Sequence, residues 1–197
     1  MLEFTQFLAD YTIEIAVTLG VLVLLGAIAA LWMRYLRNTA DKRRNLKIIR
    51  DLGTQYLHDV LVPDGVDGFV AIDFLILTPG GIVVIDMQNY NGLLFGGERT
   101  ENWTQMLGFR GYKFTNPLPA NRLRIQAIKM AVPGVPVAGR VVFSSNGRFP
   151  KGIPDGVSML GTLKDDMMPL MKNGEVPSTL QKAWEVLLSK VREPIRA

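Results

Sequence analysis

Hydrophobic positions along this chain fall into three patterns, and each predicts a different kind of element. From Ile15 to Met33 no residue is charged. At about 1.5 Å per helical residue, an apolar run of that length matches the roughly 30 Å of a bilayer's hydrocarbon. The spacing of Leu46, Ile49, Leu52, Tyr56, Leu57, Val60 and Leu61 predicts an amphipathic helix over 41–61, which Pro63-Asp64-Gly65 ends. Phe69 to Thr78 and Gly81 to Tyr90 are nearly continuous in β-branched and apolar residues, as strands covered on both faces are. Thr78-Pro79-Gly80-Gly81 is the turn between them.

Further on, Gly92 to Phe95 and Gly108 to Phe114 read as shorter strands around a polar loop that contains Trp103. Asn116-Pro117 opens a helix from about Pro119 to Ala131, closed by Pro133 and Pro136. Val137 to Ser144 and Val157 to Leu160 are the remaining strand candidates. Thr162 caps a short helix through Met171, in which Met167, Met168 and Met171 read as core filling. From Pro177 to Arg192 the apolar face of Leu180, Ala183, Trp184, Leu187, Leu188 and Val191 predicts a docking helix.

Composition sharpens the apolar run first. The chain has 197 residues and is 48% hydrophobic, with a mean hydropathy of +0.18. We read residues 15–35 as a transmembrane helix with Trp32 and Tyr35 as an interfacial anchor. A cleaved signal peptide is opposed by Glu3, Asp10 and Glu14, with no basic residue before the run. Seven basic residues lie between Arg34 and Arg50 against Asp41 alone. This asymmetry predicts a single pass through the cell inner (plasma) membrane, with the N-terminus outside and the C-terminal domain cytoplasmic. The expected organisation is a short extracytoplasmic segment (1–14), the span (15–35), a basic juxtamembrane linker (36–44) and a globular domain (45–197). Residues 51–197 hold 15 basic and 14 acidic side chains. Charge alone therefore does not argue that this domain binds DNA or RNA.

The chemistry rests on carboxylates. Cysteine is absent and His58 is the one histidine, which excludes disulfides, thiolate zinc sites and histidine-rich metal sites. His58 itself reads as an ordinary surface residue. Asp73 and Asp86 each interrupt one of the two central strands, where a buried carboxylate must be paired, hydrogen-bonded or holding a metal. A two-residue loop places Asp73 opposite Asp86, with Cβ atoms about 4.5 to 5.5 Å apart. Proline resists the positive φ of a type I′ turn, so a longer loop with a glycine bulge is the alternative, and it would slip this register by one. Oxygen ligands of this kind suit magnesium, manganese or calcium.

These residues resemble the nuclease-related domain family, a branch of the PD-(D/E)xK nuclease superfamily. The likeness rests on Ile72-Asp73, on Pro79-Gly80-Gly81 followed by Ile82-Val83-Val84-Ile85-Asp86, on Asn89-Tyr90-Asn91-Gly92, on Trp103 and on Asn116-Pro117-Leu118. It spans roughly Asn45 to Ser145. The resemblance implies an α/β fold with a restriction-endonuclease-like αβββαβ core and a mixed central sheet. It also implies Mg²⁺- or Mn²⁺-dependent phosphodiester cleavage, with Asp73 and Asp86 as metal ligands.

The chain departs from the family pattern at four places. Gly53-Thr54 stands where Gly-Glu is usual, Asp86-Met87-Gln88 where Glu-x-Lys is usual, Ala120 where a glutamine commonly follows Asn-Pro, and Phe74 where a histidine often follows the first aspartate. Gln88 offers an amide but no positive charge, and Lys113 on a following strand is the candidate substitute. Two readings follow: a membrane-anchored nuclease with a degenerate site, or a catalytically inactive module that binds nucleic acid or protein at the inner membrane face. A third is a structural membrane protein that self-associates as a homo-oligomer. Arg122, Arg124 and Lys129 are candidate phosphate contacts, or simply a solvated helix face.

Overall fold

A computed structural model describes residues 19–33, 46–169, 171 and 174–193. The chain divides into two compact units, residues 1–44 and 45–197. In the first, residues 19–33 are helical with exposed apolar side chains. Among the described residues no helix is long and apolar enough to cross a membrane. The ends of the expected span, 15–18 and 34–35, and the basic linker 36–44 lie outside the described residues.

The second unit is mixed α/β. Its main sheet has the order β1-β2-β3-β7-β9, built from β1 (Gln55–Pro63), β2 (Phe69–Thr78), β3 (Gly81–Gln88), β7 (Val137–Phe143) and β9 (Val157–Met159). β1, β2 and β3 are antiparallel neighbours, and β3, β7 and β9 run parallel. A second sheet, in the order β6-β5-β4-β8, takes β4, β5 and β6 from an insertion between β3 and the main helix, and β8 from the chain after β7. It comprises β4 (Gly92–Phe95), β5 (Asn102–Leu107), β6 (Arg110–Thr115) and β8 (Gly147–Arg148). The helices are α1 (residues 46–50), α2 (Pro117–Ala131), α3 (Leu163–Met167) and α4 (Ser178–Lys190). Without the insertion, the chain order is helix, three strands, helix, strand.

Residue parity assigns the two faces of the main sheet. Leu75, Leu77, Ile82 and Val84 pack with Ile128 and Ala131 of α2 and with Leu180, Trp184 and Leu187 of α4. Ile76, Val83 and Ile85 face the other way, against Ile49, Leu52, Leu160, Leu163 and Met167. Helices on both sides explain why β2 and β3 lack polar alternation.

Two expectations are corrected. The helix predicted over 41–61 is present among the described residues only at 46–50, and residues 55–63 form β1. Val60 and Val62, β-branched and buried, pair across from Ile72 and Val70 of β2. Strand pairing outweighed a helical spacing that Gly53 already weakened. The polar loop expected around Trp103 is β5, and Trp103 is fully buried.

Candidate active site

The hairpin that joins β2 to β3 sets the site's geometry. Thr78 pairs with Gly81, so the loop is the two residues Pro79-Gly80. The positive φ, +146°, falls on Gly81 rather than on proline. A side chain at Gly81 would collide with the Pro136 carbonyl oxygen, which accepts the Ile82 N–H at 2.9 Å. Pairing then runs from Thr78↔Gly81 to Phe74↔Ile85. The same register, continued one step, sets Asp73 opposite Asp86, and the slipped alternative is not realised.

The ladder opens at that step. Continued pairing would offer Met87 N–H to Ile72, but Asp73 Oδ2 accepts it at 2.7 Å. A carboxylate has taken the place of a main-chain carbonyl where β2 and β3 part. Arg124 of α2 bridges the gap. Its Nε donates to the Ala71 carbonyl at 2.8 Å and its Nη1 to Asp86 Oδ2 at 3.0 Å. Gln88 Nε2 donates to Asp86 Oδ1 at 3.1 Å.

Asp86 is thus buried, hydrogen-bonded at both oxygens and beside a second carboxylate. Its pKa is raised to about 6. Burial, which penalises the charged form, is the main cause. Arg124 opposes it, the neighbouring Asp73 charge adds to it, the Gln88 hydrogen bond opposes it, and a hydrogen bond with Asp73 adds to it again. The guanidinium pairs with Asp86, while Asp73 accepts the Met87 N–H.

The other expected site residues stand apart. Lys113 is exposed on β6 of the second sheet, opposite Thr104, and among the described residues it forms no ion pair with Asp73 or Asp86. Arg122 is exposed on α2, and Lys129 lines a hollow with the β2–β3 turn and Pro136. Of the three helix cations Arg124 alone pairs with Asp86 among the described residues, from the sheet-facing side. It lies three residues after buried Asn121 and four before buried Ile128. Ile128 one turn on was the signal in the sequence, and the packing of α2 on the sheet decided that this face turns inward.

Trp103 and Asn116 have structural work. Asn116 Oδ1 caps α2 by accepting the Leu118 N–H at 2.9 Å, and its Nδ2 reaches the carbonyls of Gly97, Glu98 and Thr100. Trp103 Nε1 donates to the Gly97 carbonyl at 3.0 Å. Asn116 pins the loop between β4 and β5 to the start of α2, and Trp103 pins it to β5.

A mixed sheet with facing carboxylates where two central strands part is the arrangement of a nuclease-like α/β domain. Residues 37–144, more than half of the chain, match the model of the Nuclease-related domain, and the chain belongs to that family. It is also 30% identical over 76 residues to an uncharacterized protein of Bacillus anthracis. The match covers 39% of this chain and 36% of the relative, so the chain spans about a third of that protein's length. No solved structure matches the chain.

The donors suit a hard divalent cation. Asp73 and Asp86 supply carboxylate oxygens, and Gln88 retains its Oε1 because its Nε2 is committed to Asp86. Among the described residues no three His, Asp or Glu side chains stand together to hold a metal. Water and substrate oxygens would complete the shell, as they commonly do around magnesium.

Proposed function

We propose that this protein is a membrane-anchored, Mg²⁺- or Mn²⁺-dependent phosphodiesterase that acts on nucleic acid, with Asp73 and Asp86 as the metal-holding pair. The observation that carries the reading is the charge imbalance. Of two facing carboxylates Asp86 alone pairs with Arg124, and its burial, added to by the neighbouring Asp73 charge, raises its pKa to about 6 despite that arginine. Such a site gains from one more cation. When bound, the ion would polarise a phosphate and acidify a water.

The chain's own residues supply the remainder. Gln88 Oε1, left free of the bond its Nε2 makes to Asp86, would orient that water. Arg124 spends two donors on Asp86 and Ala71, and its remaining N–H groups are available to steady charge on a phosphate. In this reading the cation missing from Asp86-Met87-Gln88 comes from α2, not from Lys113. The anchor rests on the uncharged run from Ile15 to Met33, whose described part is helical with exposed apolar side chains. The basic cluster after it favours a cytoplasmic domain.

The purified full-length chain, given plasmid and linear DNA or RNA, is expected to cleave with Mg²⁺ or Mn²⁺ and not with EDTA. Asp73→Asn should abolish the reaction. Absence of metal-dependent cleavage from the wild type would sink the enzymatic reading. Resistance of the protein to carbonate extraction, with residues 45–197 digestible only from the cytoplasmic side, tests the anchor.

One observation favours a second reading, a module that binds nucleic acid or protein without cleaving it. Both Asp86 oxygens are already hydrogen-bonded. An internal guanidinium then replaces the metal, and titration calorimetry with Mg²⁺ and Mn²⁺ would record no binding.

A further inference from the structure

We propose that the second sheet carries a stacking subsite for single-stranded nucleic acid, next to the carboxylate pair. The proposal deepens the phosphodiesterase reading and takes its polymer from it. A hollow of about 380 Å³ is lined by Tyr90, Gln105, Leu107, Tyr112, Lys113 and Phe114. That size falls within the roughly 300–1,000 Å³ of small-ligand sites.

The cross-strand pairs Trp103↔Phe114, Gln105↔Tyr112 and Leu107↔Arg110 set these aromatic and polar side chains and Arg110 on one face, while Lys113, paired with Thr104, projects from the other. Trp103 closes the face at the core end. Towards the hairpin tip the face opens to solvent through Leu107 and Tyr112, with Phe109 fully exposed at the tip itself. Tyr90 and Phe114 already stack, with centroids 4.0 Å apart and planes at 21°, so the floor is an ordered aromatic surface.

Charge and position select the occupant. Leu107 to Thr115 carries Arg110 and Lys113 and no acid. Gln105 Nε2 is held by the Asn91 carbonyl at 2.8 Å, which leaves Oε1 to accept from the edge of a base. Aromatic rings that take base faces, a polar edge and, in Arg110, a cation for phosphate on the same face are the components of single-strand recognition. An unpaired base can enter such a hollow, whereas a base stacked within a duplex cannot. Tyr90 follows Asp86 by four residues, so their Cα atoms are at most about 14 Å apart. One strand can therefore lie over both.

The test measures binding of the full-length chain, in EDTA so that no cleavage intervenes, to a fluorescein-labelled oligothymidylate of about twelve nucleotides. Phosphatidylserine vesicles serve as the competing surface. Tyr112→Ala is expected to weaken oligonucleotide binding at least fivefold, and Arg110→Gln to reduce the salt slope by about 0.7. Tyr112 and Arg110 are exposed, and circular dichroism checks that the variants fold. Wild-type-like binding by both variants overturns the proposal. So does loss of vesicle binding alone in Tyr112→Ala and Phe109→Ala, which would make the hairpin a membrane element. Cleavage assays on the same preparations separate the two ideas. Intact cleavage with Tyr112-independent binding defeats only the subsite, and Tyr112-dependent binding without cleavage defeats only the enzyme.

Discussion

Arg124 Nη1 stands 3.0 Å from Asp86 Oδ2, and this ion pair joins α2 to the central sheet where β2 and β3 part. It is nearly enclosed, with the Asp86 side chain 4% and the Arg124 side chain 22% exposed. In such surroundings the loss of one partner costs more than the pair itself contributes.

Arg124→Ala leaves Asp86 buried beside Asp73 with no counter-charge. The Asp86 pKa then rises above its present value of about 6, because the arginine was lowering it. We expect a loss of about 2–4 kcal/mol at pH 8 and a smaller loss at pH 5, where the carboxyl is protonated. Urea unfolding at the two pH values measures the difference.

Asp86→Asn gives the converse pH signature. With a folded pKa raised from 3.8 to about 6, Asp86 favours folding most below pH 4. That contribution is lost as pH rises through 6, because the unfolded chain releases the proton more easily. The shift corresponds to about 3 kcal/mol at neutral pH. Relative to the wild type, and without metal, the variant should therefore gain stability between pH 4 and pH 7. A metal-free melting series over that range showing a constant difference would contradict the assignment.

Asn116→Ala removes the cap of α2 and every tie from its amide to the 97–100 loop. A cost of about 2–3 kcal/mol is expected, from the cap and the carbonyls left unsatisfied. Hydrogen exchange should rise at the start of α2 and in the β4–β5 loop together. Exchange confined to one of them would break the proposed link.

Gly53→Ala tests why glycine precedes β1. A Cβ there would come within 2.5 Å of the Leu77 carbonyl oxygen and 2.3 Å of Ile76 Cγ2. Thr54 N–H donates to the same carbonyl at 3.0 Å. Displacement of β1 from the end of β2 should cost about 1–3 kcal/mol in chemical denaturation. Wild-type stability would mean that the strand end yields freely.

The residue pattern alone determined much of this protein. Strands buried on both faces, the capped helix after Asn116 and the docking helix around Trp184 were legible because each carries its own periodicity or boundary residue. The facing of Asp73 and Asp86 was one of the two registers the turn residues left open, and the pairing of Thr78 with Gly81 chose it. Tertiary structure decided the rest. Residues 55–63 satisfy a helical spacing nearly as well as a strand, and the open edge of β2 resolved the ambiguity by offering a ladder. Trp103 looked like part of a polar loop until the second sheet buried it. The fate of Arg124 depended on which face of α2 met the sheet, and that of Lys113 on which sheet its strand joined. Local sequence states what a side chain can do, but a partner far along the chain exists only once the fold brings it within 3 Å, as it does for Arg124 and Asp86.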